Sequence, residues 1–250
     1  MAGPDRPSWW DLRPRVPAAD LAIGALGLIV LMLIADAPLL GLMKRMPGWF
    51  EGFFQWATHF GESGYLLIGS AVIGLAALAF SRLAIRRTSR AMARFGAEAC
   101  LFLFTAVAVS GIAVNIIKPV IGRARPKMMI NEGWFGFDPP GTAYALQSFP
   151  SGHANTAIAA SLALGLLAPR LRVPLAVIGC VIAYSRVAIG AHYFSDVIAG
   201  GLLAVFTTLW LARIFARHGL VFVPRYGAPH GVTHTPAGRL ALRAAHLTPR

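Results

Sequence analysis

Two histidines, an aspartate and a group of cations fall in three short segments. The first reads Lys118-Pro-Val-Ile-Gly-Arg-Ala-Arg125-Pro126, the second Pro150-Ser151-Gly152-His153, and the third Ser185-Arg186-Val-Ala-Ile-Gly-Ala-His192-Tyr-Phe-Ser-Asp196. Lys118, Arg125 and Arg186 repel one another if they meet, unless an anion sits among them. Arginine forks match phosphate oxygens, and lysine adds a compact charge. Ser151 is suited to cap a helix, with Gly152 leaving the first N–H groups open to an anion. His192 and Asp196 stand four apart, which on a helix puts them on one face. The carboxylate can then fix one ring nitrogen and leave the other free to attack. His153 is a second imidazole, suited to protonate a departing alkoxide near neutral pH.

Each piece alone has a plainer explanation. An i,i+4 His/Asp pair can be a structural hydrogen bond, and Arg186 can snorkel to headgroups. Lys118 and Arg125 can be interfacial anchors, and His153, His192 and Asp196 can hold zinc. Taken together these explanations do poorly, because ionisable groups at membrane depth are costly and usually functional.

The elements that must carry these groups are apolar. Of 250 residues, 56% are hydrophobic and 13% charged, against about 25% charged in an ordinary soluble domain. Six runs of the length a bilayer requires cover roughly 20–43, 63–81, 97–117, 151–169, 173–191 and 193–213. The expected fold is therefore all-α, a membrane bundle of six helices over 20–215. Segments 1–19 and 216–250 would be cytoplasmic, the latter an exposed basic tail. Asp36 and Pro38 predict a kink late in the first run. The short link at 169–172 predicts a tight hairpin between the fourth and fifth. Residues 46–60, rich in Trp and Phe, suit an interfacial helix. No cleavable signal peptide is expected, since the first apolar run is too long.

The net charge of +13 does not point to nucleic acid, because the basic residues lie between apolar runs. With the N-terminus inside, 16 Lys/Arg fall on the inner side and 7 on the outer, a bias that puts both termini in the cytoplasm. The three segments then share the outer face. Cys100 and Cys180 lie inside apolar runs and read as inert small hydrophobes. The tail histidines His230, His234 and His246 read as scattered solvated groups. The aromatics Trp134, Phe135, Phe137 and Tyr144 of the long external loop suit packing more than headgroup contact.

The three segments resemble the signature of the type 2 phosphatidic acid phosphatase superfamily: lysine, six residues, Arg-Pro; Pro-Ser-Gly-His; and Ser-Arg, five residues, His, three residues, Asp. Every position is filled, and the six-run layout extends the resemblance over about 20–215. The resemblance implies a haloperoxidase-like core in a membrane bundle, with His192 as nucleophile forming a phosphohistidine and Asp196 orienting it. It implies that His153 serves the leaving group, and that Lys118, Arg125, Ser151, Gly152, Ser185 and Arg186 hold the phosphoryl oxygens. No metal or other cofactor is implied, since fixed cations supply the electrostatics. The expected substrates are lipid phosphates: phosphatidic acid, phosphatidylglycerol phosphate, a polyprenyl diphosphate or lipid A phosphate. The expected site is the outer face of a bacterial-type inner membrane. A lipid phosphotransferase using the same histidine, or a silent lipid-binding or transport protein, are the alternatives.

Overall fold

The computed structural model describes residues 18–224 and 232–233; the expected N-terminal segment and most of the tail, with its histidines, lie outside them. Nine α-helices make up nearly all of the described chain: α1 (Ala18–Ile34), α2 (Asp36–Met43), α3 (Gly48–Thr58), α4 (Ser63–Leu83), α5 (Arg87–Ile121), α6 (Pro126–Glu132), α7 (Gly152–Leu167), α8 (Arg172–Ala188) and α9 (Phe194–Arg217). A two-residue antiparallel pair, β1 (Val223–Pro224) with β2 (Val232–Thr233), follows.

All six apolar runs are helical, but they are not six full-length spans. Four helical stretches are long and apolar enough to cross a membrane: Gly48–Leu83, Arg87–Ile121, Pro169–Ala188 and Phe194–Arg217. The first run breaks at Ala35, and its halves meet at 47°, so the bent pair makes a fifth crossing if counted as one. The anticipated kink is thus a break. The fourth run, α7, has 16 residues, short of the roughly 17–25 that lipid demands. It lies at the centre, packed on α5, α8 and α9, so protein rather than hydrocarbon covers it. Its buried alanines, Ala154, Ala157, Ala159, Ala160 and Ala163, let neighbouring backbones approach closely.

Large apolar side chains face outward on the surrounding helices, among them Leu33, Ile68, Leu75, Ile116 and Val173, each at least 60% exposed. Water would not tolerate such a surface; lipid does. α5 runs 35 residues, about 52 Å, and starts ten residues before the expected 97. Its extra turns carry Arg87, Arg90 and Arg94, and Arg90 donates to the Ala84 carbonyl at 3.0 Å, covering the end of α4. The hairpin between α7 and α8 closes through one 3-10 turn, Pro169–Leu171. There Arg172 Nε donates to the Gly165 carbonyl at 3.2 Å.

The main core joins Phe102 and Ala106 of α5, Ala163 and Leu166 of α7, and Leu211 and Phe215 of α9. Val221 and Phe222 are buried in the same core, with the Phe222 ring 4.8 Å from Phe102. Val221 N–H donates to Glu98 at 2.8 Å. The exposed tail expected from 216 therefore does not begin there: apolar residues just past α9 fold back on the bundle. α3 presents Trp49, Phe53 and Trp56 outward and packs Phe54 on Tyr184 of α8, rings 5.4 Å apart.

Candidate active site

The loop after α5 is set by Gly122, which ends the helix in the left-handed region at φ 62°. A Cβ there would run into the Asp138 carbonyl, so only glycine lets the chain turn and its two limbs zip together. Ala124 N–H donates to Gly136 O at 3.0 Å, Arg125 N–H to Ala145 O at 2.8 Å, and Ser148 N–H to Arg123 O at 3.0 Å. Lys118 sits in the last turn of α5, and Arg125 is the N-cap residue before Pro126 of α6.

α7 opens as expected. Ser151 is its N-cap residue, and the hydroxyl accepts from Ala154 N–H at 3.5 Å. The start of α7 is tied to α9: Ser151 N–H donates to Asp196 O at 3.0 Å, and Asn155 Nδ2 donates to Gly200 O at 3.1 Å. A side chain at Gly200 would drive into the Ser151 carbonyl. These ties bring the Pro-Ser-Gly-His turn against the His192 segment, which ends α8 and opens α9.

His192 is not on a helix, contrary to the expectation of a shared helical face. α8 stops at Ala188, and the N–H groups of Ala191 and His192 both donate to Arg186 O, at 3.0 and 3.1 Å. Asp196 lies in the first turn of α9, where it accepts from Tyr193 N–H at 3.0 Å in a capping box. The pair meets nonetheless: His192 Nδ1 lies 3.5 Å from Asp196 Oδ2 and 2.8 Å from the Ser148 carbonyl. A carbonyl only accepts, so Nδ1 carries the hydrogen and Nε2 keeps its lone pair. Burial pushes this imidazole down to about 4, with the Arg125 charge helping and the bond to Asp196 opposing. A neutral imidazole with Nε2 free is the form a nucleophile needs.

Arg125 and Arg186 are the cations within reach of that imidazole. Arg125 Nη1 is 3.5 Å from His192 Nε2, and the guanidinium is anchored on the carbonyls of Tyr144 (3.0 Å), Ala191 (3.2 Å) and Gln147 (3.3 Å). Its Cζ also lies 3.9 Å above the Tyr144 ring. Arg186 donates one Nη1 bond, 2.7 Å, to Thr58 at the end of α3, while its buried Nε has no partner. Among the described residues Lys118 makes no hydrogen bond or ion pair; its Nζ is 3.7 Å from where a Gly152 Cβ would lie. Lys118 is in electrostatic reach of Arg125 and Arg186, and His153 of Arg186, His192 and Lys118. Cations with unused donors beside a lone-pair nitrogen are what a phosphoryl group requires. Among the described residues, no three His, Cys, Asp or Glu side chains are grouped as a metal needs.

Of the nine residues singled out in the sequence, Ser185 stands apart. Its hydroxyl donates to the Ile182 carbonyl at 2.5 Å, one turn back in α8. In this arrangement that hydrogen points back along its own helix.

Four residues escaped the sequence reading. Arg123, 1% exposed, forks between two carboxylates. Its Nη1 bonds Asp196 Oδ1 and donates to Ser195 Oγ at 2.7 Å, and its Nη2 donates to Asp36 Oδ2 at 2.7 Å. Asp36 in turn accepts from Ser195 N–H at 2.9 Å and Ser195 Oγ at 2.6 Å. Ser148 gives its carbonyl to His192 and its hydroxyl to Asp196 Oδ2 at 2.6 Å. The second half of the broken first run, through Asp36 and Arg123, thus supports the carboxylate beside His192. The available signal was Asp36, a charge inside an apolar run, which at membrane depth demands a partner. Two of the loop aromatics, with Tyr193, pack on this arginine: Arg123 Cζ lies 5.4, 5.8 and 4.4 Å from the rings of Phe135, Phe137 and Tyr193.

Comparison with known proteins gives the arrangement a family. The PAP2 superfamily matches residues 99–220. The lipid A 1-phosphatase of Rhizobium etli is 39% identical over 193 residues, 76% of this chain and 82% of that protein. The protein of the same name from Rhizobium johnstonii is 39% identical over 196 residues, 78% of this chain and 79% of its own. An undecaprenyl-diphosphatase of Sulfolobus acidocaldarius is 37% identical over 90 residues, 36% of this chain and 42% of its own. A solved transmembrane PAP2-type phosphatidylglycerolphosphate phosphatase from Bacillus subtilis shares the fold, with TM-score 0.53 at 21% identity over 80% of this chain and 98% of that one. This chain belongs to the PAP2 superfamily, as a multi-pass membrane enzyme that removes phosphate from lipid phosphates.

Proposed function

We propose that the chain hydrolyses a lipid phosphate monoester through a phosphohistidine on His192, and that its substrate is of the lipid A 1-phosphate kind. The observation that carries the mechanism is Arg125 Nη1 lying 3.5 Å from the lone-pair nitrogen of His192, with Arg186 Nε buried and unpartnered nearby. Nε2 attacks phosphorus while Lys118, Arg125, Arg186 and the first N–H groups of α7 hold the non-bridging oxygens. The bond to the leaving oxygen breaks, and protonated His153 gives that oxygen its proton. The positive charge that grows on His192 is met by the Ser148 carbonyl and by Asp196. Neutral His153 then takes a proton from water as the water attacks phosphorus, the N–P bond breaks, and phosphate leaves with His192 restored. Ser151 and Gly152 serve by shaping the helix start.

The choice of substrate leans on the two Rhizobium relatives, which are alike over most of their length. In this reading the bundle crosses a bacterial inner membrane six times, with α7 counted as a crossing, both termini cytoplasmic and the site on the periplasmic side. The inward excess of basic residues supports this orientation. The deciding assay is release of inorganic phosphate from a panel of purified lipid phosphates. Release no faster than from a His192→Ala variant refutes the reaction; faster release from a diphosphate than from lipid A refutes the substrate. A reporter fused near Asn131 should appear outside, and one near Arg90 inside.

A further inference from the structure

A cavity of about 360 Å³ opens beside the site, between the start of α4, the last turns of α5 and the start of α7. His153 and Gly152 form one wall, and His192 does not line it. In an in-line displacement the leaving oxygen stands opposite the attacking nitrogen, and here that oxygen takes its proton from His153. The part of the lipid bonded to the leaving oxygen therefore belongs on the His153 side, in this cavity.

The polar groups waiting there are few. Glu62 holds its place through Tyr65 Oη, which donates to Oε2 at 2.9 Å, and through His59 Nδ1, 3.3 Å from Oε1. Each carboxylate oxygen keeps a free lone pair, and the side chain is 46% exposed. Asn115, one turn before Lys118, is exposed and makes no hydrogen bond among the described residues. Its amide is therefore open to a ligand. A carboxylate and an amide together welcome hydroxyl and N–H groups. They reject a second phosphate, which would bring negative charge against Glu62.

We propose that Glu62 and Asn115 form a leaving-group subsite that selects phosphate monoesters of hydroxylated, sugar-type lipids over lipid diphosphates. The proposal rests on the reaction given above and narrows its substrate. It is tested with the full chain in detergent micelles, comparing kcat/KM for a lipid carrying phosphate on glucosamine with that for farnesyl diphosphate, in the native chain, in Glu62→Gln and in Asn115→Ala. Glu62→Gln should shift the ratio about tenfold toward the diphosphate, the equivalent of one charge-assisted hydrogen bond. Asn115→Ala should lower turnover of the sugar lipid alone. A Glu62→Gln variant that loses both activities in parallel, or a ratio moved by less than about twofold in both variants, overturns the subsite. Failure of the native chain to release phosphate from either lipid overturns the reaction itself, a distinct outcome.

Discussion

Asp36→Asn isolates the buried relay behind the proposed nucleophile. The carboxylate accepts three bonds: Arg123 Nη2 at 2.7 Å and Ser195 Oγ at 2.6 Å on Oδ2, and Ser195 N–H at 2.9 Å on Oδ1. An asparagine of the same shape has one acceptor oxygen. Turned either way, its amide NH₂ faces at least one donor. One bond is lost outright at a fully buried position, about 1–3 kcal/mol, and the others lose their charge assistance, roughly 1 kcal/mol more. The expected destabilisation is about 2–4 kcal/mol. Arg123 then answers to Asp196 alone, and its fork loosens on the carboxylate that holds His192 Nδ1. Since Asp36 touches no substrate, kcat should fall about 3- to 30-fold with KM nearly unchanged. Intrinsic-fluorescence melting in detergent reads the first effect, and phosphate release over a range of lipid concentrations the second. Native melting together with kcat within about 1.5-fold of the native chain would refute the relay. Arg123→Lys is the companion variant: an ammonium cannot fork between both carboxylates, so it should show the same split between kcat and KM.

His192→Ala should lower turnover by at least about 10³-fold and abolish the acid-labile phosphoprotein trapped on rapid quenching; a phosphoprotein persisting in this variant would reassign the nucleophile. Because burial holds His192 down to about 4, its 15N signals should keep the neutral pattern from pH 8 to about 5 and charge only below that. A midpoint near the ordinary 6.5 would show the ring is not desolvated. Ser185→Ala removes a hydroxyl bonded to its own helix, so kcat/KM should stay within about threefold, and a hundredfold loss would return Ser185 to the anion. Activity should survive EDTA and be blocked by vanadate, a phosphate mimic; chelator-sensitive activity restored by zinc would favour a metal mechanism.

The bundle was readable in the sequence because lipid imposes one rule: long apolar runs must be helices. Where protein replaces lipid, that rule weakens. α7 could be short because neighbouring helices cover it, and Val221 and Phe222 could leave the tail because α5 offers them a buried place. The local motif geometry was legible at Ser151, whose capping follows from residue type. One spacing in the third motif was misread. Counting four from His192 to Asp196 presumes a helix that in fact starts at Phe194, and no spacing reveals that Ser185 turns back on Ile182. The pairing of Asp36 with Arg123 spans 87 positions. Nothing local encodes such a contact; only the cost of an unpaired charge in an apolar run hints that a partner exists.

Gly200 sets a distance that no catalytic side chain controls. Where α9 crosses the first turn of α7, bare backbone meets the Ser151 carbonyl, and a single methyl there would have nowhere to go. His153 rides on α7, and His192 lies two residues ahead of α9. Alanine at 200 would act as a wedge, widening the gap that one phosphorus atom must bridge while every reactive group remained intact. Such a protein would still fold into the bilayer and still attract phosphate, yet hand over its proton too far from where the bond breaks.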